Sequence, residues 1–179
     1  MLVKKLLILI AAMAMLPMTA CGEGVPEKPR AIKQAEVDEF PHIIWNTFID
    51  MVAGGAAAEM NDIQRNAALC FEYDSEVQNG GHLQYFENTA RSGFADYEDV
   101  VKALQWIGAG QQADVLSKAI ALWKLETRGL TRDIYEFSDR ALEGRYDALD
   151  DKYCDCEPEV MQLLETMLEE YQDEFVIIE

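Results

Sequence analysis

An all-α domain is the architecture this sequence predicts, and three observations predict it. Apolar residues recur three and four positions apart along most of the chain, the spacing of helices with one buried face. Glycine and asparagine fall at the ends of these runs, at Gly54-Gly55, Asn79-Gly80-Gly81, Gly108 and Gly129. No segment alternates convincingly between apolar and polar residues; "FVIIE" at 175–179 is the one strand candidate. The connections are short, so a compact single-domain bundle of about six to eight helices is expected.

The elements follow in order. Trp45, Phe48, Ile49 and Val52 mark the first stripe, with Pro41 near its start and Gly54-Gly55 at its end. Asn61 or Asp62 can cap the next helix, whose stripe is Ile63, Ala67, Cys70, Phe71 and Val77. Asn79-Gly80-Gly81 is expected to end it in a tight helix–helix corner, because left-handed geometry penalises a Cβ. A short helix then buries Leu83 and Phe86 on one face and ends by Asn88 and "ARSG". Tyr97, Val100, Val101, Leu104 and Ile107 form the next stripe, closed by Gly108. Ala113, Leu116, Ile120 and Trp123 form another, and Ile134, Phe137 and Ala141 a shorter one. The strongest comes last: Val160, Leu163, Leu164, Met167, Leu168 and Tyr171. There is no internal repeat.

The N-terminus has a different character. "MLVKK" is a basic head, "LLILIAAMAML" an apolar run and "PMTAC" a small-residue exit, the order of a secretory signal. The run is too short for a permanent span. Met18-Thr19-Ala20-Cys21 resembles the lipobox of bacterial lipoproteins, with Met18 where Leu is usual. The resemblance implies that Cys21 is lipidated and begins the mature chain, and Gly22 after it favours the outer membrane of a Gram-negative host. Residues 1–20 are therefore read as a lipoprotein-type signal, 21–34 as a flexible linker rich in Gly, Pro and mixed charge, and 35–179 as the helical domain.

Half of the residues are hydrophobic, which places the chain outside the disordered class. The net charge is −18, and −20 once Lys4 and Lys5 leave with the signal. Direct binding to nucleic acid is excluded on that ground, and a basic protein partner is favoured. The charge is uneven. Residues 133–179 hold 16 acids against Arg140, Arg145 and Lys152, whereas 79–130 hold 6 acids against 5 bases.

"YDSEVQNGGHLQYFEN" and, about a dozen residues later, "VVKALQWIGA" resemble the core motif of a bacterial family. That family comprises the C-terminal domain of an acidic DNA-mimic protein and relatives catalogued as a domain of unknown function. Tyr73, Asp74, Val77, Asn79, Gly80, Gly81, Gln84, Tyr85, Phe86 and Asn88 match, as do Ile107, Gly108 and Ala109. His82 departs, where Phe is usual. The resemblance spans roughly residues 40–175 and implies an all-helical domain. In the characterised mimic, an acidic dimer surface imitates DNA phosphates and occupies the DNA-binding face of a transcription factor.

Chemistry-bearing patterns are few. Cys154-Asp155-Cys156 has one residue between its cysteines, too few for a structural zinc pair even with His42 and His82. "EFPH" gives one Glu-x-x-His where di-iron bundles use two. No metal site and no cofactor are expected. Cys70 lies on an apolar stripe; it either bridges to Cys154 or Cys156 or remains a small buried hydrophobe. No nucleophile elbow, P-loop or dinucleotide fingerprint occurs.

The motif residues Tyr73, Asp74, Asn79, Gly80, Gly81, Gln84, Tyr85, Phe86 and Asn88 serve either the fold or a ligand. Three functions follow. The first is a non-catalytic acidic envelope lipoprotein that binds another protein. The second is an envelope enzyme using Asp74, Asn79, His82 and Gln84. The third is a cytoplasmic DNA mimic, available if translation starts at Met13, Met15 or Met18. An enzyme predicts an open polar pocket at the corner; a binder predicts a filled corner and an exposed patch.

Overall fold

The computed structural model describes residues 29–40, 42–54, 60–93 and 96–179. The signal, Cys21, most of the linker, Pro41 and Gly55 lie outside them. Among the described residues there are eight α-helices and two short strands: β1 (Arg30–Ile32), α1 (Gln34–Glu39), α2 (Ile43–Ala53), α3 (Asp62–Ser92), α4 (Tyr97–Trp106), α5 (Gly110–Lys124), α6 (Ile134–Leu142), α7 (Asp147–Cys154), α8 (Val160–Glu170) and β2 (Val176–Ile178). A 3₁₀ turn, Gln172–Glu174, joins α8 to β2.

Helix α3 is the axis of the bundle and meets α4, α5, α7 and α8. Asn61 starts it with a reciprocal cap: its Oδ1 accepts the Gln64 N–H at 3.0 Å, and Gln64 Oε1 accepts the Asn61 N–H at 3.1 Å. Helix α4 ends as its glycine foretells. Gly108 has φ 92°, the Ala109 N–H donates to Leu104 O at 2.8 Å and the Gly108 N–H to Gln105 O at 3.2 Å.

The core holds two aromatic groups. Phe48 meets Phe71 and Phe175 edge-on at 5.7 and 5.6 Å. Phe86 stacks on Trp123 at 5.2 Å and meets Tyr97 edge-on at 5.1 Å. Both arrangements suit the ring quadrupoles. Cys70 and Cys156 are buried free thiols, and Cys154 is exposed.

Three expectations need correction. The helical stretch expected to end at Asn79 reaches Gly80, Gly81 breaks the helical angles, and a second helical stretch runs on to Ser92, so the Asn-Gly-Gly segment is a kink between the two halves of α3. Asn79 stays helical and exposed. The linker expected to reach residue 34 stops at Arg30, where β1 pairs in parallel with β2 in the register Arg30–Val176, Ala31–Ile177 and Ile32–Ile178. Burial of Ile32 and Val176 drives that pairing and makes "FVIIE" a strand. Helices α1 and α7 were not foreseen; α7 buries only Tyr153 and carries no apolar stripe.

Candidate functional site

The motif residues gather around the kink. Gly81 has φ 77° and ψ −179°, a region open essentially to glycine alone. A Cβ there would also stand 2.5 Å from Asp150 Oδ2. The kink turns the His82 N–H towards Asp150, whose Oδ1 accepts it at 3.0 Å. Helix α7 supplies this carboxylate from 68 residues downstream, and it serves as an N-terminal cap for the second half of α3.

The same Oδ1 lies 2.6 Å from His82 Nδ1, so Nδ1–H donates to it. His82 Nε2 accepts from the Tyr73 hydroxyl at 2.9 Å. Burial, reinforced by Tyr85, Asp150 and Asp74, pushes the Tyr73 phenol well above its ordinary pKa and keeps it a donor. Beside this chain, the Tyr153 hydroxyl donates to Asp74 Oδ1 at 2.6 Å. Burial raises the Asp74 carboxyl above the usual range; its hydrogen bonds to Tyr153 and Gln78 pull it partly back.

Gln84 and Asn88 bind a partner on the first half of the helix. Their amides donate to Glu76 Oε2 at 3.0 and 2.8 Å. Gln84 folds back over Gly80 so closely that a Cβ on Gly80 would sit 2.1 Å from its Oε1. Both glycines thus have a structural reason: Gly81 for its backbone angles, Gly80 for the side chain lying on it.

One helical turn further, Glu87 is fully buried and charge-paired. Arg140 of α6 donates to it at 2.9 Å and Arg91 at 3.0 Å, while Thr131 donates from its N–H and its hydroxyl. Arg91 also bonds the Thr131 carbonyl, and Arg140 the Gly129 carbonyl at 2.9 Å. This group straps the α5–α6 connection onto α3.

The kink therefore unites Tyr73, Asp74, Gly80, Gly81, His82 and Gln84, with Asn88 alongside. Tyr85 packs its ring on Tyr73 at 5.0 Å, and Phe86 belongs to the core. Asn79 is helical and exposed. Asp150, Tyr153, Glu76, Glu87 and Arg140 were missed. Glu76 and Glu87 lie in or beside the motif stretch, but their partners sit as far as 53 residues away. Tyr73, Asp74, His82, Gln84 and Glu87 are all buried, each with its partners, while Glu76, Asn88 and Asp150 are half-buried at the edge of the group. Within it, Asp150 orients the His82 ring and the Tyr153 hydroxyl donates to Asp74.

The surface is divided electrostatically. Arg128 bridges Glu126 and Glu143, and Arg145 also reaches Glu126; Arg128 holds the Glu126 carboxyl down to about 2. Residues 153–179 are different, with nine acids and no Lys, Arg or His. Among the described residues none of those nine carboxylates joins an ion pair. No group of three or more His, Cys, Asp or Glu among the described residues could hold a metal ion, and no described helix is long and apolar enough to cross a membrane.

One family model, described as DMP19-like protein, matches residues 58–173, from just before α3 to the 3₁₀ turn. Searches of curated proteins and of solved structures returned no match.

Proposed function

This chain belongs to the DMP19-like protein family, and from that premise we propose that it is a non-catalytic acidic protein that binds a basic protein partner. The observation that carries the proposal is the contrast between the two halves of the molecule's polar chemistry. Tyr73, Asp74 and Gln84 of the motif are buried and partnered inside the fold, while among the described residues none of the carboxylates of 153–179 joins an ion pair. Unpaired surface carboxylates produce a field that attracts and orients a positively charged partner.

The N-terminal segment supports a place for this activity. Its basic head, apolar run and Cys21 fit a lipoprotein signal, so the domain would hang from the envelope, at the outer membrane facing the periplasm in a Gram-negative host. The enzyme reading loses its support, because Asp74, His82 and Gln84 are buried and Asn79 is apart from them. Cytoplasmic DNA mimicry, which the family resemblance brings, requires a later start codon and remains the second reading.

Fractionation of cells with mass spectrometry of the mature N-terminus tests the location. A diacylated Cys21 in the membrane fraction is the expected result; a soluble chain with unmodified Cys21 favours mimicry. Partners captured on the immobilised protein are expected to be basic and to elute as salt rises through physiological strength. Partners that stay bound regardless of salt contradict the acidic surface as their site.

A further inference from the structure

Trp106 closes α4 with its ring 41% exposed, one of the few large hydrophobic side chains that the fold leaves in solvent. Its ring lies against Tyr171, with centroids 5.6 Å apart and planes tilted by 39°. Tyr171 caps α8 and lines an open crevice of about 390 Å³ together with Glu169, Glu170, Gln172, Asp173 and Glu174. Half-buried Tyr171 thus joins the exposed Trp106 ring to a concavity rimmed by carboxylates.

Among the described residues none of the crevice carboxylates joins an ion pair. Helix α8 contains no basic residue, and neither does the chain beyond it. The one cation of α4, Lys102, is held by Asp99 at 2.6 Å. The last carbonyls of α8 add the negative end of a helix dipole to the same corner. A second exposed aromatic, Tyr135 on α6, offers a contrast. Its helix is flanked by the Arg132–Glu136 and Arg128–Glu143 pairs, so cations already sit among the acids near it.

We propose that the Trp106–Tyr171 platform with the Glu169–Glu174 crevice is the docking site for an arginine side chain of a basic protein segment. The proposal rests on the reading of the chain as a binder of basic partners and says where and how it binds. A guanidinium is the cation that uses every part of the surface. Its planar face stacks on an indole or phenol ring, and its edge donates to carboxylates in pairs. An ammonium group satisfies only the charge, being compact and strongly hydrated. The occupant is thus an arginine-bearing segment in preference to a lysine-rich one, a metal ion or a second copy of this acidic chain.

The test uses the full chain and two probes of equal charge, capped hexa-arginine and hexa-lysine peptides, titrated at low and physiological salt. The wild type is expected to bind hexa-arginine more tightly than hexa-lysine. Trp106→Ala is expected to weaken the arginine peptide about two- to fivefold and to erase the preference for arginine, the effect of losing an exposed cation–π contact. Trp106→Phe should restore part of it, and Tyr135→Ala should change nothing. Equal, salt-sensitive binding by the wild type and Trp106→Ala overturns the platform while leaving the acidic-binder reading intact. No binding of either peptide by the wild type overturns both. A change of oligomeric state on Trp106→Ala, read by sedimentation, assigns the platform to self-association and overturns the proposal.

Discussion

His82 meets Asp150 twice on one oxygen atom: its backbone N–H at 3.0 Å and its ring Nδ1 at 2.6 Å both reach Asp150 Oδ1. A single carboxylate from α7 thereby caps a break in α3 and fixes the orientation of a buried imidazole. Asp150→Ala removes an acceptor from two buried donors at once. The expected cost is about 2–4 kcal/mol, from two donors left unpaired, read as a lower urea midpoint with an unchanged slope. A cost near zero would show that the kink does not depend on α7.

Gly81→Ala should destabilise the domain by roughly 1–3 kcal/mol, the range for a strained backbone region. The alanine Cβ would stand 2.5 Å from Asp150 Oδ2. Gly81→Ala combined with Asp150→Ala should therefore cost less than the sum of the two single changes, because the second removes the clash of the first. Strict additivity in that double-mutant cycle would contradict direct contact between the two positions.

Arg140→Met leaves Glu87 buried with one cation fewer, and the expected loss is about 3–5 kcal/mol. Exchanging Glu87→Gln in the same chain should recover part of it, because the uncompensated charge is gone. Thermal melts of the two variants check this. A double variant less stable than Arg140→Met alone would mean that the Arg91 and Thr131 contacts, and not the ion pair, dominate the group.

Much of the bundle was legible in the sequence because each long helix shows one face to the core. The stripes of α4 and α8 run at helical spacing for that reason, and Asn61, Gly108 and the terminal "VII" strand could be read from local chemistry. The misread elements depend on distant partners. β1 exists through pairing with residues 146 positions later. α7 buries one side chain, so it carries no periodicity. Asn79-Gly80-Gly81 has the composition of a helix stop, yet Asp150 satisfies the N–H exposed by the bend and the helix resumes. Asp150, Tyr153 and Arg140 lie outside the motif and meet its stretch through tertiary contact alone.

The raised pKa of Asp74 gives stability a pH dependence with a definite sign. The fold holds this proton more tightly than the unfolded chain, whose carboxyl titrates near 3.8. Stability from this group is therefore complete below that value and is lost as pH rises through the folded pKa. Lowering the pH through the folded pKa of Asp74 towards its unfolded value should stabilise the wild type, and Asp74→Asn should flatten that slope. Below it, loss of the Glu126 pairs works in the opposite direction, because the Glu126 pKa lies at about 2 in the fold. Unfolding curves collected across pH 4–7 for both proteins decide it; identical slopes would contradict the buried acid's role.

The central claim is that the motif's polar residues hold the fold together, leaving function to the acidic surface. The most direct measurement is the unfolding free energy of Asp74→Ala, Gln84→Ala and Asn79→Ala in the full chain. Asp74→Ala strands the Tyr153 hydroxyl, and Gln84→Ala removes one of the two amide donors to Glu76 and leaves only Asn88, so each should lose roughly 1–3 kcal/mol; exposed Asn79→Ala should stay within about 0.5 kcal/mol of the wild type. Unchanged or raised stability for both Asp74→Ala and Gln84→Ala would contradict the account, because polar groups that the fold can spare, or is better without, are those kept for a ligand or a reaction.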